Sequence, residues 1–212
     1  MKTILQDLVN CQKCNFVNQN YPPITPSLHT SKVKIFFIGE NPSWEFGQRI
    51  PFDNLTNSGR KLFENYILPL KKLSILEKDI WITDLFKCRY PKNIKGNLRH
   101  SAESTNNINI CAQSWLLKEI ESVKPNIIVT LGDKEVFQRL RKIFQLNISG
   151  TFNKLAYTKL TVHINNETYI LIPACHPDIS SWNTRKNKAS LKWSVIHKNN
   201  FENIIQEILI QI

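Results

Sequence analysis

Side chains suited to ligand binding and acid–base chemistry follow several short apolar runs in this sequence. Gly39, Glu40 and Asn41 come after one run, Asp84 closes a second, and His176 follows a third. Carboxylate, amide and imidazole groups commonly transfer protons or stabilise developing charge. Because the carboxyl ends of parallel strands meet at one edge of a sheet, we expect these groups to converge on one cleft there.

The cysteines form a second group with possible chemistry. Cys11 and Cys14 are a C-x-x-C pair that precedes the first predicted strand, whereas a thioredoxin-like pair follows one. Together with Cys88 and Cys111 they supply four thiolates, enough for a tetrahedral zinc ion or an iron–sulfur cluster. Spacing alone does not separate these two metals. Cys175 lies beside His176, and we interpret it as a buried or site-lining thiol.

The elements that must position these residues alternate between strands and helices. Apolar runs predict core strands at Val33–Ile38, Ile80–Leu85, Ile127–Leu131 and Tyr169–Ile172. Helical spacing of apolar residues predicts helices at Gly59–Leu70, Ala112–Val123, Asp133–Ile143 and Phe201–Ile212. Leu160–Ile164 is expected to form a hairpin with the last strand. We predict a single α/β domain over residues 1–212, a three-layer α/β/α fold with a central, mostly parallel four-stranded sheet. Residues 1–31 form its amino-terminal segment and loop.

The charge of the chain favours a polyanionic partner. Lys and Arg number 28 against 17 Asp and Glu, which gives a net charge of +11. Such an excess points to nucleic acid, and we expect contacts to DNA from Arg89, Lys92, Arg185 and Lys186. No apolar run approaches the roughly 20 residues that span a bilayer, and no signal-peptide pattern begins the chain. We therefore expect a cytoplasmic monomer with no membrane partner.

Five groups of residues follow one another along nearly the whole chain. They are Cys11 with Cys14; the segment 39–43 followed by Gly47, Pro51 and Phe52; the segment 84–89; Cys111 with the helix and strand after it; and His176-Pro177-Asp178. In this order and spacing they resemble the uracil-DNA glycosylase superfamily, most closely its iron–sulfur family-four branch.

The resemblance implies a cofactor and a reaction. It implies a structural [4Fe–4S] cluster, with zinc as the alternative, on Cys11, Cys14, Cys88 and Cys111. It also implies hydrolysis of the bond between a flipped base and deoxyribose, which leaves an abasic site in base-excision repair. His176 would stabilise the departing base, and Glu40 or Asn41 would position the attacking water. Gly39, Ser43, Phe52 and Asp84 would form the base pocket, with Phe52 stacked under the base.

Three residues depart from the family pattern. Asn41 replaces the family-four alanine, and an asparagine at this position orients the water in other branches. Ser43 is small, so a substituent on the fifth carbon of the ring has room. Asp84 replaces the asparagine that reads uracil, and an ionised aspartate can only accept hydrogen bonds.

These departures favour a cytosine-type base, because a carboxylate is the usual partner of the cytosine amino group. The small Ser43 favours a substituent at the fifth carbon of that base. A hydroxymethyl or glucosylated mark, as found in phage DNA, predicts a role in antiviral defence. Three alternatives stay open. They are a uracil-DNA glycosylase of repair, a catalytically inactive DNA-binding module on the same fold, and a zinc-stabilised protein of unrelated function.

Overall fold

The structure is a computed structural model that describes residues 2–14, 23, 33–42, 50–89, 102–178 and 193–211. In these residues one sheet has the strand order β2-β1-β3-β5-β4. The strands are β1 (Ile35–Gly39), β2 (Ile80–Asp84), β3 (Ile127–Leu131), β4 (Leu160–Ile164) and β5 (Glu167–Ala174). Neighbouring strands are parallel except β4 and β5, which are antiparallel. The predicted α/β class and mostly parallel sheet are confirmed.

The described sheet has five strands, so the predicted count of four is wrong by one. The additional strand is β4, the first arm of the predicted hairpin, which pairs with β5 along its whole length. The two turn residues, Asn165 and Asn166, have φ angles of 46° and 64°. Two-residue hairpins of type I′ require positive φ at both turn positions, and asparagine tolerates that conformation. The turn therefore returns the chain directly onto the sheet edge.

Helical segments precede, connect and follow these strands. They are α1 (Lys2–Val9), α2 (Asn57–Leu62), α3 (Leu68–Lys72), α4 (Ala102–Cys111), α5 (Leu117–Val123), α6 (Gln138–Ile143), α7 (Phe152–Leu155) and α8 (Trp193–Gln211). Wider π-helical turns lie at Phe63–Ile67, Ala112–Leu116 and Asp133–Phe137, and a 3₁₀ turn lies at Glu77–Asp79. None of the described helices has the length and apolar composition needed to cross a membrane.

The helices differ from the predicted ones mainly at their starts. The helix predicted from Gly59 begins at Asn57, because the Thr56 hydroxyl accepts a hydrogen bond from the Gly59 N–H and caps the first turn. The segment α4 was not predicted, since its sequence is rich in polar residues and lacks an apolar period. Local capping and tertiary packing determine these boundaries, and apolar periodicity does not report either one.

The core lies on both faces of the sheet. Every residue of β1 and β3 is buried, although successive side chains of a strand point to opposite faces. Both faces must therefore be covered, which agrees with a three-layer domain. On one face Phe36 stacks on Trp81, and on the other Phe37 contacts the edge of the Tyr66 ring. The two central strands thus hold their carboxyl ends rigidly at one edge of the sheet.

Candidate functional site

The register of the two strands β1 and β2 brings Glu40 next to Asp84. Gly39 is the direct partner of Asp84 in the parallel ladder. After the ladder ends, the Leu85 N–H donates to the Gly39 carbonyl at 2.8 Å and the Phe86 N–H donates to the Glu40 carbonyl at 2.9 Å. The two loops therefore leave the sheet side by side.

Gly39, Phe52 and Asp84 meet at this point. A Cβ atom on Gly39 would lie 2.3 Å from Phe52 Cε2 and 2.5 Å from Asp84 Oδ1, far inside contact distance. Only glycine permits such an approach of a ring and a carboxylate to the backbone. The aromatic ring and the carboxyl group thus lie side by side against Gly39, and their assignment to a base pocket stays a prediction.

The backbone at Phe52 is unusual. Pro51 and Phe52 are the central residues of a turn in which the Asp53 N–H donates to the Ile50 carbonyl. Phe52 has a φ angle of 53°, at a turn position where glycine is common. A large residue in this conformation costs on the order of 1–3 kcal/mol and often marks a functional position. The turn points to a requirement for an aromatic ring beside Gly39.

The Asp84 carboxyl group is buried and unusually basic. The residue is 2% exposed, and its Oδ2 atom has no hydrogen-bond partner among the described residues. Burial raises the pKa of Asp84 to about 7, Lys87 opposes this rise, and the carboxylates of Glu40 and Glu119 add to it. Near neutral pH this side chain therefore exists in both its ionised and its neutral form.

A buried ion pair supports the loop that carries Asp84. Lys87 Nζ lies 2.9 Å from Glu119 Oε2, and both side chains are almost completely buried. The same ammonium donates to the Asp84 carbonyl at 2.7 Å and to the Thr83 hydroxyl. This role of Glu119 was not predicted from the sequence. Its position among Trp115, Leu116, Ile120 and Val123 on the apolar face of a helix was the signal that could have revealed it.

The residues proposed to handle water lie directly after β1. Glu40 and Asn41 are both half-buried. The Asn41 amide Nδ2 donates to the Pro42 carbonyl at 2.8 Å, so its N–H group faces its own loop. This contact orients the amide and directs its oxygen, the acceptor, away from that carbonyl.

A glycine ends the strand between β1 and β5. Gly132 follows β3 with a φ angle of 126°, which side-chain-bearing residues rarely adopt, and its N–H donates to the Ala174 carbonyl. Since strands are spaced about 4.8 Å apart, the ends of β1 and β5 lie about 10 Å from each other. Among the described residues, a Cβ atom added at Gly132 would meet only Val136 Cγ2, at 3.7 Å, so the φ angle and not a close approach favours glycine here. The chain reverses its direction of crossover between β1 and β3, which is the usual ligand site of such sheets.

His176 follows β5, and its hydrogen bond determines which ring nitrogen carries the proton. The Asp178 N–H donates to His176 Nδ1 at 3.2 Å. Because Nδ1 accepts this bond, the neutral ring carries its proton on Nε2. Asn65 Nδ2 also donates to the Pro177 carbonyl at 2.9 Å, which adds a second hydrogen bond that holds this loop. The half-buried imidazole can therefore donate a hydrogen bond through Nε2.

Comparison with known proteins identifies the family of this sheet-edge site. A family model described as the uracil DNA glycosylase superfamily matches residues 26–200. The chain belongs to this superfamily. It is therefore a DNA glycosylase, a hydrolase of N-glycosyl bonds.

Two curated relatives carry the same type name. The glycosylase is 29% identical over 210 residues to a type-4 uracil-DNA glycosylase of Saccharolobus solfataricus. The aligned region covers 93% of this chain and 89% of that protein. It is 25% identical over 131 residues to a type-4 uracil-DNA glycosylase of Archaeoglobus fulgidus, with 61% of this chain and 58% of that protein covered. The predicted likeness to the family-four branch is confirmed.

The four predicted ligand cysteines of this glycosylase come from distant parts of the chain to one region. Burial raises the pKa of Cys88 strongly, and the charges of Cys111, Cys14 and Cys11 raise it further. Burial likewise raises the pKa of Cys111 to about 12, although the Lys87 N–H and ammonium oppose this. Four thiols that influence one another in this way lie within electrostatic reach.

Two of these sulfur atoms accept hydrogen bonds. The Lys87 N–H donates to Cys111 Sγ at 3.3 Å, and Trp115 Nε1 donates to Cys11 Sγ at 3.2 Å. Among the described residues, however, no three His, Cys, Asp or Glu side chains are close enough to hold a single metal ion.

Several predicted site residues fall elsewhere. Ser43, Lys92, Arg185 and Lys186 lie outside the described residues, so their assigned roles stay predictions. Arg89 is half-buried and directly follows Cys88. A cavity of about 260 Å³ lies between α2 and β2, and Phe52 forms part of its wall. Asn41, Asp84 and His176 do not line that cavity, so we do not assign it to the base.

Proposed function

We propose that this glycosylase hydrolyses the N-glycosidic bond of a flipped pyrimidine in DNA and reads the base with the carboxyl group of Asp84. The observation that carries the proposal is the buried Asp84 carboxyl group against Gly39 and the Phe52 ring, with one oxygen lacking a described partner. Buried polar atoms are normally paired, so an oxygen of this kind is suited to a ligand. A flat base stacked on Phe52 would present its polar edge to that oxygen.

His176 is proposed to stabilise the leaving base. The departing pyrimidine carries negative charge that is shared with its exocyclic carbonyl oxygen, and a fixed N–H donor lowers the energy of that anion. The contact from the Asp178 N–H to Nδ1 supports this role, because it leaves the ring proton on Nε2. A neutral donor also avoids an uncompensated buried charge before the base arrives.

Glu40 and Asn41 are proposed to serve the sugar side of the bond. The sugar gains positive charge in the transition state, and the Glu40 carboxylate is suited to stabilise it. The Asn41 amide, already oriented by its bond to the Pro42 carbonyl, is suited to hold the attacking water through its oxygen. Bond cleavage followed by attack of water leaves the free base and an abasic site, which is the outcome of a monofunctional enzyme.

The protonation state of Asp84 defines two substrate classes. The ionised carboxylate accepts from the amino group of a cytosine-type base but repels the carbonyl oxygen of uracil. The neutral acid both donates and accepts, so it can pair with uracil as an asparagine would. We favour a cytosine-type base above neutral pH and keep uracil as the second candidate. The name of the two relatives and the pKa of about 7 support uracil.

A substituent at the fifth carbon of cytosine would separate the target from ordinary DNA. The proposal of a hydroxymethyl or glucosylated cytosine rests on the small side chain of Ser43 and on Asp84 together. A role in antiviral defence follows only if such a base is the substrate, and it stays a prediction here.

A panel of duplexes tests this function. Each duplex carries one of uracil, cytosine, 5-hydroxymethylcytosine or glucosylated 5-hydroxymethylcytosine, and alkali cleaves any abasic product. Cleavage of a cytosine-type base supports the favoured substrate, whereas cleavage of uracil alone supports the neutral Asp84 and refutes the cytosine preference. Binding to DNA without an abasic product on any base would indicate an inactive DNA-binding module and overturn the proposal.

The same proposal includes a [4Fe–4S] cluster held by Cys11, Cys14, Cys88 and Cys111. Four thiolates can hold either a zinc ion or an iron–sulfur cluster. The electrostatic reach among these thiols and the two N–H bonds to sulfur fit such a group, and the likeness to type-4 enzymes supports the cluster. The cluster would tie α1 to α4 and to the loop after β2. Iron and acid-labile sulfide in anaerobically purified protein test this, and zinc in their place would refute it.

A further inference from the structure

We propose that Tyr157 and His197 are positioning residues, which act through the backbone beside His176 to hold that imidazole for catalysis. Neither residue has a role predicted from the sequence. Tyr157 follows α7 and His197 lies on α8, so neither belongs to the edge of the sheet where base and sugar are expected. Because the role acts through His176, it rests on the proposed function.

Both polar backbone groups of Cys175, the residue before His176, are bound by tyrosines. The Cys175 N–H donates to Tyr157 Oη at 3.1 Å, and the Tyr66 hydroxyl donates to the Cys175 carbonyl at 2.5 Å. The three residues Tyr66, Tyr157 and Cys175 are all buried. The chain just after β5 therefore has two anchors in addition to the β ladder.

His197 connects these anchors to the residue on the other side of His176. His197 Nδ1 lies 3.0 Å from Tyr157 Oη, and Nε2 lies 2.7 Å from the Asn65 carbonyl oxygen. The Asn65 side chain in turn donates to the Pro177 carbonyl. The path from Cys175 through Tyr157, His197 and Asn65 to Pro177 thus closes a ring of contacts around His176.

The direction of each hydrogen bond follows from the groups present. A carbonyl oxygen can only accept, so His197 carries its proton on Nε2 and accepts from the Tyr157 hydroxyl at Nδ1. Tyr157 then accepts from the Cys175 N–H, and every donor in the path is used once. Burial lowers the pKa of His197, with the Asn65 carbonyl opposing, and burial raises the pKa of Tyr157. The neutral forms required by this arrangement are therefore the favoured ones.

The supporting helices are held together at the same place. The rings of Tyr66 and His197 lie 4.5 Å apart, and His197 also stacks on Phe201. Tyr66 and Asn65 lie in the π-helical turn after α2, a type of turn that often occurs at functional sites. One face of His197 lines a cavity of about 630 Å³ that also includes Asp178. The network thus spans from α8 to the loop of His176.

Tyr157→Phe tests the inference, because it removes one hydroxyl and keeps the ring. With the best-cleaved duplex and saturating enzyme, we expect the single-turnover rate to fall about tenfold to hundredfold, as small misplacements of catalytic groups do. The dissociation constant for abasic-site DNA should change less than about twofold, because the contacts that bind DNA before and after the reaction do not involve Tyr157. Ile205→Val on α8 is the matched control, because it removes a methyl group from the core but no hydrogen bond of the network.

A double-mutant cycle with His176→Gln separates positioning from general destabilisation. If Tyr157 acts through His176, Tyr157→Phe should cause no further loss of rate in the His176→Gln background. A wild-type rate for Tyr157→Phe, an equal loss in both backgrounds, or an equal loss in Ile205→Val at the same change in Tm overturns the inference. If His176→Gln alone keeps the wild-type rate, the proposed function fails as well.

Nitrogen-15 NMR of the histidine rings tests the network without activity. In the wild-type protein, His176 should show separate signals for an accepting Nδ1 and a protonated Nε2. In Tyr157→Phe these signals should move towards a common average as the loop loosens. An unchanged His176 spectrum would overturn the inference even if the protein cleaved no base.

Discussion

The substitution Asp84→Asn separates the chemistry of Asp84 from its shape. An asparagine occupies nearly the same volume but donates and accepts hydrogen bonds at every pH, whereas the aspartate must be neutral to donate. With a pKa of about 7, about half of Asp84 is neutral at pH 7 and about one tenth at pH 8. Uracil cleavage by the wild-type protein should therefore fall about tenfold per pH unit above 8.

The assay is the ratio of single-turnover rates of the variant and the wild type on uracil DNA from pH 6 to pH 9. The ratio removes the effect of other titrating groups, and we expect it to rise about fivefold from pH 7 to pH 8 and about tenfold from pH 8 to pH 9. On a cytosine-type base the wild-type rate should decline less, because the carboxylate still accepts from the amino group. Asp79→Asn is the matched control, since Asp79 is also buried but lies at the opposite end of β2.

Stability gives a second measurement of the same carboxyl group. The pKa of Asp84 is raised in the folded protein, so its contribution to stability is complete below 3.8 and is lost as pH rises through about 7. The difference between the pKa of 3.8 and the pKa of about 7 corresponds to about 4 kcal/mol of stability. Between pH 4 and pH 8, the free energy of unfolding of Asp84→Asn should therefore rise by about that amount relative to that of the wild type. A flat rate ratio together with an unchanged stability difference would refute a buried Asp84 that titrates near neutrality.

Three further substitutions test the surroundings of the site. Gly39→Ala should abolish cleavage while the protein stays folded, because the added carbon overlaps Phe52; wild-type activity by the alkali assay would contradict the close approach. Lys87→Met should lower the free energy of unfolding by about 3–5 kcal/mol in urea titrations, because Glu119 is left buried without its partner, and restoring stability by Glu119→Leu is the control. Cys88→Ser should reduce the iron content of anaerobically purified protein; full iron content would remove Cys88 from the proposed ligands.

The sheet could be predicted from sequence because its central strands are continuous runs of β-branched and aromatic residues. Such runs occur where a strand is covered on both faces, and β3 matches its predicted bounds, Ile127–Leu131. The approach of Gly39 to Asp84 was also accessible, since parallel strands place their ends together. The segment α4 was not accessible, because a polar helix that packs through a few residues leaves no periodic signal.

The supporting network could not be predicted for a different reason. Tyr66, Tyr157 and His197 are single polar residues on otherwise apolar elements, and their partners are backbone groups more than 15 residues away. Apolar periodicity places them in the core but does not indicate which carbonyl or N–H they contact. The pKa of Asp84 was similarly inaccessible, since it depends on burial and on Lys87, Glu40 and Glu119 together.

The backbone of Asp84 is held by groups that do not involve its side chain. The ladder to β1, the bond from Leu85 to Gly39 and the Lys87 ammonium on the Asp84 carbonyl all hold the main chain. A substitution of Asp84 should therefore leave the fold intact while it changes the polar group that this position offers to a ligand. Under the proposed function, Asp84 is the first position to randomise when a glycosylase for another modified base is wanted.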